Sequence, residues 1–420
     1  MSDVNNAIDA IWRIEQAKLI ASLTRVTRDV ARAEELAQDA LVAALTTWPE
    51  SGIPERPGAW LMAVAKRRAV DAARRDAMLQ RKHEMLEHED DAYAPDVEAA
   101  LDDEIGDDLL RLVFVACHPV LAPEARAALT LRLIGGLTTD EIARAFLASE
   151  PTIAQRIVRA KRTLREKEIP FEVPRGAALA ARLTSVLEVI YLIFNEGYSA
   201  TAGDDWMRPQ LCEEALRLGR MLAALAPEEP ETHGLVALMA IQASRLNART
   251  GADGEPVLLL DQNRARWDWM LIRHGFEALA RAEETSRAIG AAPGPYLLQA
   301  EIAACHARAR TAAETDWKRI AAHYHALSAV APSPVVALNR GVAIGMAYGP
   351  AAGLESIEAL SDEPSLKGYH LLPAVRADLL QKLGRLEEAR AAFEAAASLT
   401  RNTRERALLL RRAGECADKP

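Results

Sequence analysis

The sequence predicts an all-α protein of several domains, and three observations carry that expectation. Ala and Leu are abundant while aromatic residues make up only 5% of the chain, and runs of β-branched residues are rare. Half the residues are hydrophobic, and they recur at three- and four-residue steps along most of the length. With 420 residues the chain is too long for one ordinary core.

The N-terminal stretch from Ile8 to Arg75 is helical by periodicity, with one break at Pro49–Pro57. Within it Leu36, Ala37, Ala40, Leu41, Ala44 and Leu45 form an apolar stripe, and Glu35, Gln38 and Asp39 lie on the polar face. The next helix carries the stripe Trp60, Leu61, Val64, Ala65, Ala69 and Ala72. It also carries a basic cluster of Lys66, Arg67, Arg68, Arg74, Arg75, Arg81 and Lys82. Between Glu84 and Asp108 stand twelve acids and no Lys or Arg, a composition expected of an unfolded acidic linker.

Leu121 to Glu166 carries the most specific local pattern. Thr138 or Thr139 is placed to cap a short helix with Glu141 reaching back, and Ile142, Ala143 and Phe146 point inward. A tight turn through Leu147, Ala148 and Ser149 leads to a second helix, capped by Ser149, with Pro151 in its first turn. There Ile153, Ile157, Ala160 and Leu164 form the buried stripe. Thr152, Gln155, Arg156, Arg159, Arg162 and Arg165 fall on the other side. Six Lys or Arg against one acid between Arg156 and Lys167 suit a helix-turn-helix whose second helix contacts DNA bases and phosphates. The net charge of −9 excludes a protein coated in positive charge, so DNA contact must be local.

After the boundary-like IPFEVPRG (Ile169 to Gly176), the remaining 244 residues are amphipathic helix. Leu379, Leu380, Leu383, Leu386, Ala389, Ala392, Phe393 and Ala396, with Gly384 between two helices, resemble a tetratricopeptide helix pair. The period drifts elsewhere, with helix ends at Ala226-Pro227 and Ala331-Pro332. Two polar groups stand out in this part. Asn195, Glu196 and Tyr198 follow a very apolar helix; Asp261, Arg264, Arg266, Trp267 and Asp268 interleave charge with aromatic surface. The second group is expected to form an ion-pair lattice; the alternatives are contact with the N-terminal half or a ligand pocket walled by Trp267 and Trp269.

The two N-terminal patterns resemble those of extracytoplasmic-function sigma factors of the sigma-70 family. Region two of that family has an acidic-Leu-x-Gln-acidic helix, matched by Glu35 to Asp39. It also has an Ala-Trp-Leu segment ending in Asp-x-x-Arg-Arg, matched by Ala59 to Leu61 and Asp71 to Arg75. Region four opens with Leu-x-Pro-Glu, matched by Leu121 to Glu124, and its recognition helix has Thr-(Val/Ile)-x-x-Arg, matched by Thr152 to Arg156. Arg67 stands where many members have Asn, and Ala154 where a basic residue is common.

The resemblance implies a region-two bundle over 1–82, an acidic linker over 83–108, a region-four helix-turn-helix over 109–168 and a repeat-like extension over 169–420. It implies that Glu35, Gln38 and Asp39 dock on the β′ clamp helices of core RNA polymerase. Lys66, Arg67, Arg68, Arg74 and Arg75 would act at the minus-ten promoter element, where a base leaves the stack. Thr152, Gln155, Arg156, Arg159 and Arg162 would read the minus-thirty-five element. The extension resembles that of a subgroup in which it regulates the factor in place of a separate anti-sigma protein, and a small-molecule or protein effector is a further expectation.

No cofactor or metal is expected. The four cysteines have no paired spacing, and the adjacent pairs Cys117-His118 and Cys305-His306 point apart on a helix. No nucleophile elbow, phosphate loop or His-Glu metal motif suggests an enzyme. No apolar run approaches the roughly 20 residues of a membrane span, and the N-terminus lacks a signal layout, so a cytoplasmic location is expected. The other readings are a helix-turn-helix regulator that binds DNA alone and a repeat-type interaction scaffold. Only the first domain separates them from the sigma reading.

Overall fold

A computed structural model of the chain describes residues 2–84, 105–146, 148–174, 177–199, 207–251, 255–400 and 402–417. Its regular structure is helical throughout these residues, as the composition predicts. Contacts divide the chain into two units, 1–189 and 190–420.

The first unit begins with α1 (Ser2–Thr27), α2 (Val30–Ser51) and α3 (Pro57–Glu84), which pack on one another. The periodicity predicts one break in this stretch, and the structure has two. Arg28 adopts a left-handed backbone (φ 52°), and Asp29 caps α2 by accepting from the N–H groups of Ala31 and Arg32. The later break also shifts, because α2 runs through Pro49 to Ser51 and stops at Gly52 (φ 83°). Leu36, Ala37, Ala40 and Ala44 of the expected stripe are buried, but Leu45 is 43% exposed. Trp48 is the buried side chain one turn beyond Ala44, and it meets Trp60 of α3 edge-on at 5.2 Å.

Next come α4 (Ile105–Ala116), α5 (Pro123–Thr130), a π-helical turn (Leu131–Gly135), α6 (Thr139–Ala145) and α7 (Glu150–Glu166). Most of the expected acidic linker lies outside the described residues. Its last four residues are a correction, since Ile105–Asp108 belong to α4. Asp108 is buried there, paired with Arg25 at 3.0 Å and Arg111 at 2.7 Å, and these two cations offset the cost of removing its charge from water. The first part of α8 (Ala177–Tyr198) completes this unit. Ser185 donates to the Cys117 carbonyl at 2.7 Å and Arg182 to the Phe114 carbonyl at 2.6 Å. The division between the units falls inside α8.

The second unit contains α9 (Pro209–Leu225), α10 (Pro230–Ala243), α11 (Trp269–Ala288), α12 (Pro295–Arg308), α13 (Trp317–Val330) and α14 (Pro334–Tyr348). It closes with α15 (Pro350–Glu358), α16 (Leu371–Lys382), α17 (Leu386–Leu399) and α18 (Thr403–Ala417). Helices pack chiefly on their neighbours in sequence, the pattern of a repeat protein. Both Ala-Pro steps end helices as read, because the residue before proline is driven out of helical geometry. In the clearest repeat pair Leu379, Leu380, Ala389, Ala392, Phe393 and Ala396 are buried, and Gly384 turns the chain at φ 76°. Leu386 is half-buried and Leu383 is 36% exposed, because both lie beside the turn rather than on the packed face.

The α14–α15 crossing is closest at glycine. A Cβ on Gly353 would lie 2.6 Å from the Gly345 Cα and 3.0 Å from the Gly341 carbonyl, both backbone atoms that cannot swing aside. Gly353→Ala is expected to destabilise the second unit by about 1–3 kcal/mol, the usual cost of overpacking. Thermal unfolding followed by circular dichroism checks this; an unchanged melting temperature would mean that the crossing is looser than these distances state.

Candidate promoter and polymerase interface

The recognition helix is built by local chemistry. Thr138 and Glu141 form a reciprocal cap: the Thr138 N–H donates to Glu141 at 2.8 Å, and the Glu141 N–H donates to the Thr138 hydroxyl at 3.1 Å. Burial acts to raise the Glu141 carboxyl, but the two Thr138 bonds and Arg13 outweigh it and hold the group below its ordinary range. Ser149 caps α7 by accepting from the Thr152 N–H at 3.3 Å. Ile153, Ile157, Ala160 and Leu164 are buried against α5 and α6.

At about 100° per residue, α7 then presents two further strips. One lies opposite the buried stripe and holds Thr152, Gln155, Arg156, Arg159 and Arg162. All are exposed except Arg156, which is half-buried. Arg162 also donates to Glu166 at 2.6 Å, one turn on. The other strip holds Ala154, Val158, Lys161 and Arg165 and, with Arg162 at its rim, faces a groove whose far wall is α2, with Asp29, Glu34, Glu35 and Gln38. Ala154, the departure from the family pattern, therefore sits on the groove side of the helix.

Glu34 closes the groove. Its side chain is 8% exposed, accepts from Arg132 at 2.8 Å and from Gln38 at 3.1 Å, and takes a direct bond from Lys161. Arg165 and Asp29 lie 3.6 Å apart alongside, and Arg13 meets Glu141 at 3.1 Å. Gly136, left-handed at φ 77°, rests so close to Gln16 that a Cβ would fall 2.0 Å from its amide nitrogen. The helix-turn-helix is thus docked on the α1–α2 pair. Glu34, Asp29, Arg132 and Lys161 were not among the residues the sequence reading singled out. The sign available was a carboxylate at position 34 flanked by the buried Ala33, Leu36 and Ala37.

The polar face of α2 carries Glu35, Gln38 and Asp39, all exposed, with Val42 on the same face at 57% exposure. Glu35 pairs with Arg32 at 3.0 Å, and Asp39 pairs with Arg68 of α3 at 3.1 Å. One candidate polymerase-docking residue is therefore bound to one candidate minus-ten residue. Lys66 is half-buried and Arg67 exposed; the side chains of Arg74 and Arg75 lie outside those described.

In the second unit the expected ion-pair lattice is absent among the described residues. Asp268 caps α11, accepting from Met270 and Leu271 N–H at 2.9 and 3.0 Å. Arg266 donates to the Thr250 carbonyl at 3.1 Å, and Arg264 to the carbonyls of His306 and Ala309. Asp261 is exposed. The carboxylate of Asp268 satisfies helix N–H groups that have no other partner, so it is not left for an arginine. Trp267 is buried while Trp269 is 55% exposed, so the two do not wall one pocket. Glu196 pairs with Arg208, the Asn195 side chain bonds Tyr191, and the Tyr198 carbonyl accepts from Arg249 at 2.7 Å. The four cysteines are buried free thiols, and burial pushes Cys117 up to about 11 and Cys212 to about 12. No helix among the described residues is long and apolar enough to cross a membrane.

Two small helical modules, each with a basic helix face, define a promoter-recognition class of protein, and comparison with known proteins agrees. Residues 12–78 match the sigma-70 region 2 family, 111–164 match sigma-70 region 4, and 182–283 match a family of unknown function, DUF6596. The uncharacterized protein R00370 of Rhizobium meliloti (strain 1021) is 42% identical over 415 residues, 98% of this chain and 96% of its own. The probable ECF RNA polymerase sigma factor SigI of Mycobacterium tuberculosis is 28% identical over 175 residues, 40% of this chain and 58% of its own. No solved structure matches. The chain belongs to the sigma-70 family as an extracytoplasmic-function type factor with a C-terminal extension. It directs transcription initiation, binding core RNA polymerase and promoter DNA, and its sigma-70 families are not enzyme families.

Removing the Glu34 charge leaves Arg132 and Lys161 facing each other across the groove. Glu34→Gln is expected to weaken the docking of the helix-turn-helix by about 1–3 kcal/mol, the cost of leaving a buried polar group without its partner. Amide hydrogen exchange should speed up in α7 and the π-helical turn while α17 keeps its protection. Unchanged exchange in α7 would show that Glu34 does not hold the two modules.

Proposed function

We propose that the factor works through three surfaces, and that the docked arrangement of its two modules must open for all three to act. The exposed face of α2, with Glu35, Gln38, Asp39 and Val42, docks on the β′ clamp helices. An acidic rim around a bare aliphatic side chain suits a protein partner. Lys66, Arg67, Arg68, Arg74 and Arg75 hold single-stranded DNA at the minus-ten element, and Arg68 must first leave Asp39. Thr152, Gln155, Arg156, Arg159 and Arg162 read the minus-thirty-five duplex, with the later arginines on phosphate.

The single observation that carries this reading is the strip of α7 opposite its buried stripe, which stays open to solvent while the adjacent strip is held by Glu34. A helix face kept free next to one that is fastened fits a reader of DNA better than a packing element. Two promoter elements about 25 base pairs apart, at about 3.4 Å each, are separated by roughly 85 Å. Modules joined across one groove cannot reach both. Polymerase docking and promoter binding therefore draw the factor out of the closed arrangement. We assign 1–82 to region two, 83–104 to the linker, 105–168 to region four and 169–420 to the extension, the start of region four following α4. The extension regulates the factor in response to a small-molecule or protein effector, and the factor acts in the cytoplasm.

Run-off transcription with core polymerase tests the promoter reading. Arg156→Ala and Arg159→Ala should each lower specific transcript by about tenfold, the size of one lost base or phosphate contact. Unchanged transcript would favour a scaffold. Duplex promoter DNA should bind weakly without core polymerase, and tight binding would favour a regulator that acts alone. The closed arrangement has its own test: Glu34→Gln should raise affinity for core polymerase about fivefold, the factor for about 1 kcal/mol. An unchanged or lower affinity would show that the closed form does not compete with docking.

A further inference from the structure

The second unit holds an excess of buried positive charge that the sigma activity does not use. Arg245 follows α10 and is 8% exposed, and its Nε has no hydrogen-bond partner. Its guanidinium lies 5.8 Å from the Tyr198 ring centre, and that of Arg249 lies on the same ring at 3.5 Å. Arg264 stacks on Trp267 at 4.6 Å and spends its bonds on backbone carbonyls. Guanidinium does not lose its proton in proteins, so these charges persist.

The nearby carboxylates are engaged elsewhere. Glu196 is bound to Arg208, and Glu301 to Arg308 and Arg319 at 3.3 Å each. Among the described residues no carboxylate pairs with Arg245 or Arg264, and Glu314 acts on Arg264 only through its field. His306 of α12 is 7% exposed, and its Nδ1 has no partner. Burial first, and then Arg245 and Arg264, push its imidazole down to about 3, so it is neutral. The Tyr324 phenol of α13 is pushed up to about 12 by burial and also lies in the field of Arg245. A lone buried cation beside a neutral imidazole and an un-ionised phenol is unfavourable for folding unless something negative joins it.

We propose that Arg245, with Arg264 and His306, forms an anion site inside the C-terminal unit that takes the carboxylate or phosphate group of a small molecule. The burial of Arg245 sets the size class, because a group carried on a protein or nucleic-acid surface does not reach a side chain this enclosed. Arg245 supplies the charge-assisted donors, and Arg264 adds field from its fixed place on Trp267. The region matched to the family of unknown function includes Arg245 and Arg264. The site deepens the effector reading of the extension and is tested without transcription, so failure of one leaves the other standing.

The test is thermal unfolding and calorimetry of the full-length protein with inorganic phosphate, with citrate, and with sodium chloride at matched ionic strength. Phosphate or citrate is expected to raise the melting temperature by about 2–4 °C over chloride, as ligand in excess over its Kd does. The anion that succeeds tells phosphate from carboxylate. Arg245→Met should abolish the shift and weaken binding by about tenfold or more. Without anion it should melt at or above the unmodified protein, because it deletes an unpaired charge. Arg245→Lys should keep part of the response. The proposal is overturned if neither anion moves the melting temperature beyond chloride. It is equally overturned if Arg245→Met melts well below the unmodified protein in anion-free buffer, which would make the arginine a structural prop.

Discussion

One carboxylate governs the first unit. Glu34 sits almost out of solvent on α2, and its burial is tolerable only because Arg132 and Lys161 reach it from the π-helical turn and from the recognition helix. That requirement fixes the rotation of α7. With Lys161 turned to Glu34, the buried stripe must face α5 and α6, and the remaining arc of the helix must face water. The exposure of Thr152, Gln155, Arg159 and Arg162 is thus a consequence of where one acid lies, as much as of the amphipathic pattern in α7 itself.

The same contact sets how readily the modules part. Ion pairs at a groove open to water are worth far less than sealed ones, because solvent and salt compete for each charge. The flanking pairs Arg13–Glu141 and Arg165–Asp29 are largely exposed and add little. Glu34 and the buried Asp108 carry more of the hold, and both are acids offered to arginine or lysine. Promoter DNA is a denser anion than either. Packing of α1 on α4 and on the π-helical turn shares the hold with these pairs, so a polyanion weakens the charged part of the closed state while opening also exposes apolar surface.

What the sequence made legible was whatever is settled within a few residues. Thr138 with Glu141 and Ser149 with Thr152 are caps spanning three positions, and the stripe of Ile153, Ile157, Ala160 and Leu164 follows from helical geometry alone. What it hid was settled at long range. Glu34 meets partners 98 and 127 positions away, which no local pattern names, and only its place beside the apolar stripe sets it apart from Glu35, which points to water. The ion-pair lattice expected of Asp261 to Asp268 failed for the opposite reason. A local demand, the bare N–H groups at the start of α11, claimed Asp268 before any arginine could. Leu45 was assigned to the stripe of α2 by spacing, yet the helix buries Trp48 instead, because the larger ring fills the space against Trp60.

The two units treat buried charge in contrasting ways, and the contrast bears on how a factor of this kind is controlled. In the first unit the buried acids among the described residues, Glu34 and Asp108, have cations of the same chain beside them. In the second, Arg245 stands without an acid among the described residues while the surrounding helices are tightly packed. Helical repeats allow this, since each helix is stabilised mainly by its neighbours and a single unfavourable position is carried by the stack rather than by one shared core. Occupying such a position stabilises one arrangement of the helices that meet there, α8, α10, α12 and α13. A ligand that binds one arrangement better than another shifts their populations by its difference in affinity, with no further machinery. An unpaired charge is a natural place to store that difference, because it is the feature of the empty state that a small anion relieves most.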